Sequence, residues 1–194
     1  MSDTNFESHW QTTGLIVEDR TIPPMGVNPK SYSDILKFSD CTTTVISGCS
    51  ILGGNENCSD AVRGEGYLWQ NCDFIVTSPS YGALTIKGSI SGWKIDSCRF
   101  NGHGDVFDVE VGQFGSYWKP GDPPTRNGTI SNCTSSDGKP VLVTLWNADA
   151  PTVIESNVKI RKYPKIIWFP YFLFRYVQIR ITNALGITQI KTKP

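Results

Sequence analysis

Apolar and polar residues alternate with period two in five separate segments: DILKFSDC from Asp34, DAVRGEG from Asp60, ALTIKGS from Ala83, VFDVEVGQF from Val106 and PVLVTLWN from Pro140. Such alternation marks a strand with one buried face. A second short segment follows each: TVISGCSI, YLWQNCDF, GWKIDSCRF, GTISNCTS and TVIESNVKI. Aligned with one another, these put Cys49, Cys72, Cys98, Cys133 and Asn157 at one position, spaced 23, 26, 35 and 24 residues apart. The long interval contains SYWKPGDPPTRNG, which reads as a loop inserted into one repeat. Turn clusters GGNENCSD, SPSYG, NGHGD and SSDGKP punctuate the chain, so each period predicts strand, turn, strand, turn.

A repeat of this length fits a leucine-rich repeat, a β-solenoid or part of a sandwich. The first needs a Leu ladder and a helical half-repeat, which the segments lack. In a sandwich, successive antiparallel strands occupy different environments, so one residue type would not recur at one place. Solenoid coils stack about 4.8 Å apart and align equivalent residues into ladders. The cysteine column is such a ladder, and the expected fold is an all-β parallel solenoid of five to six coils.

Composition agrees and narrows the classes. The 194 residues are 39% hydrophobic and include 18 Gly and 12 Pro, too many turn formers for a helical bundle. Eighteen basic and 18 acidic residues cancel, which gives no footprint for nucleic acid. The sum hides a division: residues 1–154 hold 10 basic and 17 acidic residues, whereas residues 155–194 hold 8 basic and one acidic. MSDTNFESHW has neither a basic n-region nor an apolar h-region, and no apolar run reaches about 18 residues. The expectation is a cytoplasmic or virion-associated chain without signal peptide or membrane span. In a reducing compartment the six cysteines read as small buried hydrophobes rather than cystines. Paired C-x2-4-C spacing is missing, so neither a thiol-bound metal nor another cofactor is expected.

The run ILKFSDCTTTVISGCSILGGNENCSDAVRGEGYLWQNCDFI, residues 35–75, resembles the right-handed parallel β-helix of the pectate-lyase-like superfamily, which includes phage tailspikes and polysaccharide-acting enzymes. The resemblance covers residues 31–160, with residues 1–30 as N-terminal cap and first coil, and residues 161–194 as an aromatic, basic C-terminal cap or oligomer contact. It implies fold more than function. In such enzymes the active groove lies along the outward face of one sheet. If Leu36, Phe38, Val62, Leu84, Ile86, Val109, Val111, Val143 and Leu145 point inward, the outward stripe reads Lys37, Arg63, Lys87, Glu110 and Thr144, with Glu65 and Trp146 one position along.

Two function classes follow. A non-catalytic structural or surface-recognition module, virion-associated by the resemblance, would use Lys37, Arg63, Tyr67, Lys87, Glu110 and Trp146 to hold a glycan, the cations neutralising carboxylates and the aromatics stacking on sugar rings. A small polysaccharide lyase or glycoside hydrolase would use Arg63, Lys87, Asp105, Asp108 and Glu110, with His103 near Asp105 as a further base. Hydrolysis needs two carboxylates about 5 to 9.5 Å apart. The paired Asp-Asp and Arg-x-Lys motifs of the polygalacturonase type are missing, and so is the Asp cluster of a calcium-dependent lyase. The non-catalytic class leads.

Residues 161–181, RKYPKIIWFPYFLFRYVQIRI, gather seven aromatics, two prolines and five basic residues. Val177, Ile179 and Ile181 alternate as a strand would, with residues 183–186 as a turn and residues 187–190 returning: a cap. Aromatics with Arg also characterise buried contacts. Beside the cap, a homo-oligomer through this segment, a trimer as in tailspike-like proteins, is therefore expected, with membrane-interface insertion and then stacking on single-stranded nucleic acid as lesser alternatives.

Overall fold

The computed structural model describes residues 7–22, 34–53, 57–76, 82–101, 107–113 and 119–184. Every strand pair is parallel, and the chain winds through about 5 turns of a β-solenoid. The first coil carries β1 (Glu7–Trp10), β2 (Ile16–Glu18) and β3 (Thr21–Ile22). In the next two coils one long strand serves two faces: β4 (Leu36–Ser47) is followed by β5 (Ser50–Leu52), and β6 (Ser59–Gln70) by β7 (Asp73–Ile75). Then come β8 (Leu84–Lys87), β9 (Ser91–Asp96) and β10 (Arg99–Asn101), followed by β11 (Val109–Gly112), β12 (Arg126–Ser131) and β13 (Thr134–Ser135). The last coil holds β14 (Val141–Trp146) and β15 (Thr152–Ile154), and β16 (Val158–Lys162) pairs beneath β14.

Corners use residues in the left-handed backbone region. Asp40 and Arg63 sit there where β4 and β6 turn from first face to second, at φ 56° and 55°. Gly48, Asn71, Ser97, Asn132 and Glu155 do the same at the next corner, mostly residue types that tolerate this region best. A single glycine also sets the packing of the second face. Trp93 pairs with Gly128 in the coil below, and a Cβ on Gly128 would collide with the indole ring.

Four inward columns build the core. Val17, Ile46, Trp69, Ile95, Ile130 and Val153 align on the second face, and Ile22, Ile51, Phe74 and Phe100 on the third. Phe74 and Phe100 stack with centroids 5.1 Å apart. On the first face Leu36, Ser59, Leu84, Val109, Val143 and Ile160 share one column, and Phe38, Ala61, Ile86, Val111 and Leu145 the other. Each fully buried aliphatic or aromatic side chain contributes about 1.5 to 3 kcal/mol.

All six cysteines are buried free thiols, four of them in the expected ladder. Each ladder thiol donates to the carbonyl two residues earlier, as in Cys72 to Gln70 at 3.3 Å, and leans on a carbonyl of the preceding coil, as in Cys72 to Ile46 at 3.5 Å. The neighbouring Cys72 thiol and then burial push Cys49 upward, and burial drives Cys58 up to about 12, so these two sulfurs are held protonated and unreactive. The fifth rung differs from the expected one. Thr152 pairs with Thr129 and Ile154 with Ser131, which brings Ser156, not Asn157, under Cys133. The Ser156 hydroxyl occupies the position of a thiol: it donates to Ile154 O at 3.1 Å and accepts the Cys133 N–H at 2.9 Å.

The tail also departs from expectation. Residues expected to form a strand belong to α1 (Lys165–Ala184), a 20-residue helix. Alternation at 177, 179 and 181 is too short to choose a period. The longer spacing of Ile166, Pro170, Leu173, Phe174, Val177 and Ile181 is helical, and it wins. The Ile167 N–H bonds Pro164 O at 2.9 Å and closes the first turn. Pro170, inside the helix, withholds the N–H that Ile166 would otherwise receive. The expected returning strand, residues 187–190, lies outside the described residues.

Candidate functional site: the polar face of the first sheet

Pairing across the first face defines two outward columns. Lys37, Asp60, Thr85, Glu110, Thr144 and Arg161 form one; Ser39, Val62, Lys87, Gly112 and Trp146 form the other. The stripe expected from alternation is therefore displaced at its second member, and its third, Lys87, falls in the other column with Thr85 in its place. Ala61, not Val62, lies between Phe38 and Ile86 in the inward column, and Asp60 takes the outward place assigned to Arg63. Volume accounts for this, because Ser59 and Ala61 are small residues set inward next to Leu36 and Phe38, where larger ones would crowd the narrow prism. Arg63 turns the corner instead. Its Nε and Nη2 donate to the two Asp40 carboxylate oxygens at 2.6 and 2.7 Å, and this guanidinium holds the Asp40 carboxyl below its usual range.

Asp60, which sequence reasoning weighed only as a carboxylate alongside Glu65 and left out of the outward stripe, is the centre of the site. Its side chain is fully buried, with Oδ2 2.8 Å from Lys37 Nζ and 2.9 Å from Lys87 Nζ, while Thr85 Oγ1 donates to Oδ1. Lys37 also reaches Asp34 at 3.1 Å, and Asp34 accepts from Asn57 Nδ2 at 3.0 Å. Burial opposes the charge on Asp60, but the Lys87 and Lys37 ammoniums outweigh it and hold the carboxyl below its ordinary value. Burial likewise opposes the charge on Lys87, and Asp60 and Asp34 outweigh it in the other direction. The two shifts agree on a charged, mutually neutralised cluster. The signal for it lay in the sequence as an Asp opening both DILKF and DAVRG.

One rung further, Glu110 Oε1 accepts the Trp146 Nε1–H at 2.6 Å. Burial pushes the Glu110 carboxyl up to about 7, against the pull of Trp146 and Lys87. Trp146 stacks on Tyr163 with centroids 4.0 Å apart, which ties this face to the residues that lead into α1. Gly112 makes room for the arrangement, since a Cβ there would strike the Trp146 backbone.

The other expected residues are scattered. Tyr67 is in the interior, stacked on Trp69 at 5.6 Å, with its hydroxyl donating to Arg63 O at 2.7 Å; no sugar reaches it. Glu65 is exposed at the first corner, level with Thr42. Asp108 is buried and its Oδ2 accepts the Leu142 N–H at 2.8 Å, a backbone-capping role, with burial raising its carboxyl. Asp105 and His103 lie outside the described residues. Among the described residues no three His, Cys, Asp or Glu side chains converge as a metal site. At the C-terminal edge an open cleft of about 410 Å³ is lined by Asn147, Asp149, Lys162, Tyr163 and Lys165, with Pro124, Ala148 and Pro164 completing it.

The arrangement is suited to holding strands together and to presenting a neutral, polar surface. Asp60, its most buried carboxylate, is committed to two ammoniums and a hydroxyl, and Glu110 to an indole. No protein-family model matches the chain, and no curated protein and no solved structure matches it. Fold and geometry thus define a parallel β-solenoid protein with a buried charge cluster on one face. No helix of the described residues is long and apolar enough to cross a membrane.

Proposed function

We propose that this chain is a non-catalytic β-helix module, structural or surface-recognising, of the pectate-lyase-like plan and, on its resemblance to phage tailspike coils, virion-associated. The observation that carries the reading is the neutralised Lys37–Asp60–Lys87 cluster. General acid–base catalysis needs a group free to exchange a proton with substrate, and a carboxylate bound to two ammoniums at 2.8 and 2.9 Å is committed to them. The test is incubation with polygalacturonate, alginate and hyaluronate, read by unsaturated-product absorbance and by new reducing ends. No turnover is expected. Turnover abolished by Glu110→Gln would establish the lyase or hydrolase alternative.

Glycan recognition is a second reading, favoured by the cleft at Tyr163. An aromatic ring beside Lys162 and Lys165, with Asn147 and Asp149 as hydroxyl partners, suits an acidic sugar. Retardation of the protein in a gel containing acidic polysaccharide, lost in Tyr163→Ala, is the expected result. Equal mobility with and without polysaccharide would remove this reading.

A further inference from the structure

Helix α1 exposes an apolar face that its own solenoid does not cover. Ile166 is 82% exposed and Phe174 65%, and Ile167, Val177 and Ile181 are also exposed. No strand among the described residues packs extensively along it. An exposed apolar patch of this extent marks an interaction site. Charge selects the partner. Helix α1 contains Lys165, Arg175 and Arg180 and no acidic residue, while residues 1–154 carry a net charge of −7. Two α1 helices would repel each other, and an anionic lipid surface would repel the body. The acidic body of another copy attracts.

A matching surface lies at the opposite end of the solenoid. In the first coil Trp10 is 70% exposed and Ile16 62%. Among the described residues these are the exposed large apolar side chains outside the last coil and α1. They flank the first corner; exposed Glu18 and Asp19 follow Ile16 along the chain, and exposed Glu65 is level with Thr42, which pairs with Thr13 between them, so with the Asp40–Arg63 pair and exposed Arg20 the acids here outnumber the cations. An apolar centre with an acidic rim is the complement of an apolar helix with basic residues.

We infer that α1 of one copy docks on the Trp10–Ile16 corner of a second copy. This rests on the structural-module reading and names its partner. The contact is heterologous, since each copy offers one helix and one corner, and a closed ring uses all of them. The apolar pair supplies the buried centre, and the acids set orientation and partner choice.

The experiment is light scattering on the full chain and two variants, Trp10→Glu/Ile16→Glu and Phe174→Glu/Val177→Glu, each checked for native circular dichroism. Should either misfold, Trp10→Ser and Phe174→Ser replace them. The unmutated chain is expected as a discrete oligomer, and each variant alone as a monomer. An equimolar mixture of the two variants is expected at twice the monomer mass, because the intact helix of one meets the intact corner of the other. A corner variant that stays oligomeric by itself while the helix variant is monomeric would assign the contact to α1–α1 pairing, and a mixture that stays monomeric while the unmutated chain is oligomeric would show that helix and corner do not meet; either overturns the inference. An unmutated monomer that floats with phosphatidylcholine–phosphatidylserine vesicles would overturn it in favour of a membrane surface, and one that does neither would leave α1 without this role. Assembly is read as mass alone, so its failure is separate from any finding of turnover.

Discussion

Val17 and Val153 belong to the same inward column at opposite ends of the solenoid, yet Val17 is 3% exposed and Val153 38%. Ile22 in the first coil and Ile160 beyond the last differ in the same sense. Stacking gives a rung cover only from its neighbours, so a terminal rung depends on what is added to it. At the first coil the His9 ring lies parallel to Phe38 at 5.6 Å, and the inward aliphatics are closed. At the last, the Trp146–Tyr163 stack closes one corner, and Val153, Ile154 and Ile160 remain open beside a helix that is itself exposed. The inward rung is therefore covered at one end and open at the other. Unfinished apolar rungs and strand edges are where chains associate.

The contrast can be broken most forcefully in the closed body. Asp60→Ala removes the carboxylate that Lys37 and Lys87 share, leaving the largely buried Lys87 without its nearest counter-charge and Lys37 with Asp34, and a loss of about 2 to 4 kcal/mol is expected in urea unfolding. A loss below about 1 kcal/mol would show that the cluster does not brace the coils. Next in size is Glu110→Gln, which probes the link towards the open end. The folded Glu110 carboxyl sits at about 7, above its ordinary 4.5, so its contribution is fully present below pH 4.5 and is lost as pH rises through 7. The Gln variant should match the parent near pH 4 and exceed it at pH 8 by about 2 to 3 kcal/mol. Thermal melts across that range would reveal an opposite trend if Trp146 prefers the carboxylate.

The two valines give the direct test. Val17→Ala should cost about 2 kcal/mol, and Val153→Ala less than about 0.5 in the monomer, where its side chain is already partly in water. Equal costs would mean that the last coil is covered in solution, and repeating the pair in the oligomer would then locate the cover. Smaller than the Val17 loss, Cys133→Ser should cost about 1 kcal/mol or less, because a hydroxyl keeps the bond to Ser131 O and Ser156 already fills the next rung. A much larger loss would indicate that sulfur volume, rather than its hydrogen bond, holds the ladder.

The sequence by itself determined the repeat, the parallel stacking and the buried cysteine column, because each is written as a period that the chain must satisfy locally. Alternation says which residues share a face, but it does not say which face. A slip of one residue preserves every alternation in a segment. Tertiary structure settled that choice at Asp60 rather than Arg63, where Ser59 and Ala61 fit next to Leu36 and Phe38 and Arg63 supplies the corner. It did so again at Ser156 rather than Asn157, where Glu155 takes the left-handed corner. The tail was undecided for a related reason. Over five residues Val177, Ile179 and Ile181 satisfy a strand, and only the hydrogen-bonded turn beginning at Pro164 and the longer spacing from Ile166 select the helix. Burial of the cluster was likewise invisible, since Lys37, Asp60 and Lys87 are three coils' worth of surface charge until stacking brings them within 3 Å and removes the water between them.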